Sequence, residues 1–262
     1  QMFTSTGVYL GQWGTVGTEP GQLDHPTGIA LDGAGNVYVS DYYTGRIIRF
    51  TRTGTYLSEW VSGQYCTGLA VDRCDDVLVP TPGAVLKYST DGMLQQRWYL
   101  SGWPDGVATN GACEAYVAEK NACTVEKYSG AGNLLLRWGS YGARDGQFFG
   151  PLRVAVDHNG DVYVVDNGSC RIQKFTSSGT FICKWGSCGS GYGQFLNPIG
   201  IAVSTDGTVY VADTNNSRIQ VFNASGTYLS AWGSFGTGNG QFNLPSDVAI
   251  DSVGNVYVAD TG

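Results

Sequence analysis

Carboxylates and guanidiniums recur in this 262-residue chain at one spacing, and that spacing bears directly on what chemistry they do. Asp41 with Arg46, Asp166 with Arg171 and Asp213 with Arg218 share D-x-x-x-x-R. Such a pair suits a loop brace made of charge-assisted hydrogen bonds. Recurrence at three places favours the brace over a single reactive centre. Arg153 and Asp247 are different, because equivalent segments carry Gly28, Gly68, Gly106 and Gly200 at that register. Polar groups there either bind a ligand or pair with neighbours, and both readings stand. No G-x-S-x-G, no phosphate loop and no paired Cys and His occurs. We therefore expect no catalytic set, no metal and no cofactor.

Seven cysteines lie between Cys66 and Cys188 without C-x-x-C spacing, so a zinc ribbon is not expected. Three N-x-S sequons, at Asn167, Asn215 and Asn223, fall in loops or turns and are candidates for N-glycosylation.

The elements that must position these residues are read from a repeat. Residues 198–232, PIGIAVSTDGTVYVADTNNSRIQVFNASGTYLSAW, return from Pro26, Cys66, Pro104 and Pro151, and a sixth copy from Pro245 runs off the end. Each copy reads as four short strands separated by D-x-x-G, D-x-x-N and S-x-G turns. The expected fold is all-β: a six-bladed propeller with blades near 26–60, 66–98, 104–138, 151–185, 198–232 and 245–262 plus 1–13. In the last blade the N-terminal segment supplies the outer two strands, closing the ring as one domain. Period matching leaves roughly four residues missing at that seam, so an excerpt or a processed product is expected. Small residues at Ala30, Ala70, Ala108, Ala155, Ala202 and Ala249 suit innermost strands, and the recurring Trp13, Trp60, Trp98, Trp138, Trp185 and Trp232 read as packing residues.

The words GQF-x-x-P, GIAVD, NVYVADT, NRIQVF and WG resemble those of the NHL-repeat family, which implies the same six-bladed fold over nearly the whole chain. That resemblance raises several activities. Peptide-amidating lyases carry similar propellers with zinc held by several His. Only His25 and His158 are present here, on opposite faces about 15–20 Å apart, so they cannot share one zinc. A hydrolase with a central calcium would use Asp105 and Asp247, in opposed blades three and six, although solvated or hydrogen-bonded roles are preferred for both. Some family members bind RNA through a basic face. A net charge of -7 argues against a nucleic-acid partner here.

No apolar run is long enough for a membrane span. Low charged content, 39 Gly and the sequons read as extracellular or secreted. By strand direction, Cys74 and Cys113 share one face of adjacent blades, Cys123 and Cys170 share the other, and Cys183 and Cys188 flank one outer strand. Those three disulfides are expected with Cys66 left over; the other reading is buried free thiols.

Function is read from asymmetry. Four connections between blades are long, whereas residues 61–65 and 99–103 are short and flank a blade that has lost its brace and carries a TPG turn. This lowers one sector of the rim, lined by Tyr65, Pro80, Pro82, Tyr99 and Trp103. The expected role is a non-catalytic extracellular interaction or assembly module for a protein or glycan partner, a copy of itself included, within a longer or multimeric protein. The alternatives are a small-molecule lyase or hydrolase using a channel mouth formed by His25, Asp105, Arg153 and Asp247, and a ligand-sensing ectodomain.

Overall fold

A computed structural model describes residues 1–63, 65–100 and 102–262; Gln64 and Ser101, one in each short connection, lie outside the described residues. Six four-stranded antiparallel sheets make six blades. Blade 5 is representative, with Pro198–Val203 innermost, then Val209–Asp213, Arg218–Phe222 and Tyr228–Trp232 outermost. Second strands such as Val37–Asp41, Ala115–Glu119 and Val209–Asp213 are buried at every position. Neighbouring blades cover both of their faces, which is why these strands read as continuous apolar runs. Among the described residues, no helix is long and apolar enough to cross a membrane.

The ring closes as the repeat implies. Met2–Phe3 pairs with Val256–Asp260 in register Met2↔Tyr257, so blade 6 is built from both ends of the chain. Each outer-strand Trp packs on the glycine turn of the following blade: Trp232 on Gly7, Trp13 on Gly54, and so around to Trp185 on Gly226. A β-carbon at Gly226 would stand 2.5 Å from the Trp185 ring, and its φ of +84° is one that other residues adopt at a cost. The six Trp are thus blade-to-blade packing residues.

Blade 2 departs from this pattern at one residue. Its inner strand is only Ala70–Val71, against six residues in every other blade. In blades 1, 3, 4 and 6 the fourth residue of the second strand bridges the inner strand, as in Ser40↔Gly28 and Ala118↔Gly106. In blade 2 that residue is Pro80, which has no N–H to give, so the ladder opens there. Pro80 is consequently buried within the strand Val77–Thr81, and its expected place in an exposed contact sector is corrected.

Candidate functional site

The brace explains how the rim is shaped. Asp41–Arg46 at 3.0 Å, Asp166–Arg171 at 2.8 Å and Asp213–Arg218 at 2.7 Å are all formed. Each Asp also accepts a backbone N–H from the long connection before its blade, at Asp24, Phe149 and Leu196. Each Arg donates to carbonyls of that connection, including Gln22, Gln147 and Gln194. The Phe of G-Q-F, at Phe148, Phe195 and Phe242, is fully buried and anchors the flap. Without flap or brace, the tops of blades 2 and 3 stand low.

In that low sector lies a depression of about 240 Å³ between blades 1, 2 and 3. Tyr42, Tyr65, Pro82 and Trp103 supply apolar walls, and Asp105 and Lys120 supply charge. Trp103 is 60% exposed and Tyr65 46%. The rings are propped from behind: His25 packs on Tyr43 at 4.9 Å, Tyr43 on Tyr42 at 5.2 Å, and Tyr42 on Tyr65 at 5.4 Å. Tyr65 N–H donates to Tyr42 O at 3.0 Å. Burial raises the Asp105 carboxyl above its ordinary value, while Arg153 and Lys120 oppose that shift.

Sequence reasoning thus located Tyr65, Pro82 and Trp103 in one place. It missed Tyr42 and Lys120, although Tyr42-Tyr43 replacing the Thr214-Asn215 of blade 5 was a legible signal. Tyr99 is 81% exposed but ends the outer strand of blade 2 against Arg97, and it does not line the depression. His25 and Asp105 are also corrected: neither lines the channel, His25 belonging to the aromatic row and Asp105 to the depression.

The axial channel, about 260 Å³, is lined chiefly by aliphatic inner-strand residues, including all six alanines read from the repeat. Arg153 and Asp247 meet there. Arg153 Nη1 donates to Asp105 O at 2.6 Å, and Nη2 donates to Thr27 O at 3.1 Å and to Thr67 O. Arg153 Nε lies 3.8 Å from Asp247 Oδ2. Asp247 accepts N–H groups of Ile29 at 3.2 Å and Val248 at 3.0 Å. The bare Gly68 and Gly106 leave room for this crossing: a β-carbon on Gly68 would stand 3.1 Å from the guanidinium carbon. Of the two readings left open, pairing with neighbours is the one realised, and blades 1, 2, 3, 4 and 6 are tied at the axis. Burial pushes Asp247 up to about 6 even with Arg153 beside it.

Blade 3 carries a further acid. Glu119 stands at the register of Asp41 and Asp166, but Thr124 replaces the brace Arg. It is 2% exposed, and among the described residues neither carboxylate oxygen has a partner. Burial, with Glu126 and Asp105 nearby, pushes it up to about 7.

Two of the expected disulfides are overturned. Cys170 bonds Cys188, with Cα atoms 5.0 Å apart, so Cys123–Cys170 and Cys183–Cys188 do not form. The connection leaving blade 4 folds over that blade's own second-to-third-strand loop, with Gly186 against Cys170 O. Cys123 holds the matching place one blade away, and the Cys183 thiol lies toward Lys174 and Asp161. Closing this 18-residue loop stabilises the fold by about 3 kcal/mol. Cys170→Ala/Cys188→Ala is expected to lose about that much in denaturant unfolding; unchanged midpoints would show the bond adds nothing. Cys74 and Cys113 remain thiols with Sγ atoms 3.5 Å apart. Of the sequons, Asn167 commits its amide to Asn197 Oδ1 and Pro198 O, while Asn215 is exposed and Asn223 Oδ1 caps a turn.

Comparison with known proteins matches the NHL repeat at residues 23–50, 148–175 and 195–222. Comparison with curated protein sequences finds no match. A protein of unknown function from Bacteroides thetaiotaomicron is similar in structure at 17% identity and a TM-score of 0.77, covering 99% of this chain and 73% of its own. A streptogramin B lyase is similar at 15% identity and 0.70, covering 96% and 94%. A chain from a nidogen/laminin complex is similar at 16% identity and 0.65, covering 79% of each. These likenesses carry the fold alone.

Proposed function

We propose, for a chain that is a six-bladed β-propeller with NHL repeats in three of its blades, that it is a non-catalytic interaction module. It holds a neutral sugar residue of a glycan in the depression between blades 1, 2 and 3. Proteins of this fold include a lyase and a chain of a nidogen/laminin complex, so the fold does not choose between catalysis and binding. The site supports binding. The observation that carries the reading is Trp103 and Tyr65, both exposed, standing over a depression that also presents Asp105 and Lys120.

A sugar ring suits such a place. Its C–H face carries slight positive charge and packs on the negative face of an aromatic ring. Its hydroxyls donate to a carboxylate and accept from an ammonium. The volume lies below the roughly 300–1,000 Å³ of sites that enclose a drug-sized ligand, which fits one ring of a longer chain. At the channel, by contrast, the two terminal nitrogens of Arg153 and both oxygens of Asp247 are already engaged by the protein, leaving Arg153 Nε as the group there without a hydrogen bond among the described residues. The Cys170–Cys188 bond supports an oxidising, extracellular setting.

The test is binding of the wild-type chain to arrayed neutral oligosaccharides, beside Trp103→Ala, Tyr65→Ala and Tyr99→Ala. We expect at least one glycan to bind, with tenfold or greater loss in the first two variants, about 1.4 kcal/mol, and none in the third. Equal loss in Tyr99→Ala would move the site to the outer rim. Binding by none of the chains would refute the glycan reading.

A further inference from the structure

The face that carries the first-to-second-strand turns holds a feature the glycan site does not use. The blade 2 turn, Asp72 to Asp76, and the blade 3 turn, Asn110 to Glu114, face each other through Cys74 and Cys113, with sulfur atoms 3.5 Å apart. Cys113 takes a φ of +58° at a turn position held by Gly35, Gly160, Gly207 and Gly254 in four other blades. A side chain there costs about 1 kcal/mol that glycine avoids, so its presence calls for a compensating interaction. The seam itself supplies the reason. The blade 2 turn is tied on the blade 1 side by Gly33 N–H to Asp75 Oδ1 at 3.0 Å. On the blade 3 side the two thiols meet.

We propose that Cys74 and Cys113 form, on oxidation, a covalent clasp, an inter-blade disulfide that joins the first-to-second-strand turns of blades 2 and 3. The oxidant is a low-molecular-weight disulfide of the glutathione class. The exposed Cys74 thiolate attacks one sulfur of that disulfide and releases the first small thiol. The Cys113 thiolate then attacks the Cys74 sulfur of the mixed disulfide and releases the second. Two protein thiols are oxidised, one small disulfide is reduced to two thiols, and the two protons leave with them. The side chains need to close only from 3.5 Å to the roughly 2.05 Å of a disulfide.

Because reduction also opens Cys170–Cys188, the experiment uses the full chain carrying Cys170→Ala/Cys188→Ala, incubated with oxidised glutathione. We expect titratable thiols to fall from five to three, peptide mapping to find the Cys74 and Cys113 peptides joined, and Tm to rise by about 10 °C. Cys113→Gly should abolish the linkage and the rise while remaining folded, since glycine suits that turn. Glutathione left on Cys74 or Cys113 without linkage would overturn the clasp, as would linkage with unchanged Tm. Incubation with zinc alone is the remaining arm: tight zinc binding that blocks oxidation would make the pair, with Asp72 beside it, a metal site instead.

Discussion

Arg153→Met is expected to be the most damaging single substitution in the chain, lowering stability by about 3–5 kcal/mol at pH 7. The guanidinium is buried and holds the carbonyls of Thr27, Thr67 and Asp105 from three different blades, with Asp247 of a fourth beside it. Methionine fills similar volume but leaves a buried carboxylate without its cation and three carbonyls without a donor. In a domain of this size that corresponds to a fall in Tm of about 10 °C. Adding Asp247→Asn removes the stranded charge, so Arg153→Met/Asp247→Asn should recover part of the loss. If Arg153→Met melts with the wild type, the axial crossing is decoration and does not tie the blades.

The second large effect is a dependence on pH opposite to ordinary acid denaturation. Asp247 moves from 3.8 to about 6 on folding and Glu119 from 4.5 to about 7. A carboxyl whose pKa is raised on folding binds its proton more tightly in the native state. Its contribution is fully present below the unfolded value and is lost as pH rises through the folded one. Stability should therefore decline between about pH 4 and pH 7, by up to about 6 kcal/mol from these two groups. Asp260, raised by burial to about 6, adds to the decline; the Gln1 ammonium, lowered by burial to about 6, opposes it between about pH 6 and pH 8; and Glu114, Asp206 and Asp251, lowered on folding, oppose it only below their ordinary values of 4.5 and 3.8. Glu119→Gln should raise the melting temperature at pH 8 and flatten the profile while changing little at pH 4. A wild-type chain more stable at pH 8 than at pH 5 would mean that water or a cation reaches these carboxylates.

How much of this was legible follows from what each residue's role depends on. The blades and the Trp packing recur six times and the Asp and Arg brace three times, and recurrence makes a local signal readable; the ring closure follows from matching both ends of the chain to that repeat. Pro80 was read as surface because it neighbours a TPG turn, yet its effect runs through the ladder: a missing N–H opens the inner strand instead of exposing a ring. Arg153 and Asp247 were visible as departures from Gly, but only the axial geometry shows that one long side chain crosses to several blades. The cysteine pairing depended on how a connection folds back over its own blade, a distance that strand order does not contain. Tyr42 and Lys120 come from loops of different blades, and only assembly of the ring brings them to Tyr65 and Trp103.

The central claim, that the depression holds a sugar residue against Trp103, is tested most directly by NMR of the seven tryptophan indoles during titration with neutral oligosaccharides. Six of these indoles are wedged between blades, and Trp103 stands at the depression with 60% of its surface exposed. We expect one indole N–H resonance to move saturably, the one missing from Trp103→Ala, while the six packing indoles stay in place. No movement with any oligosaccharide, or movement of packing indoles without Trp103, would contradict the assignment.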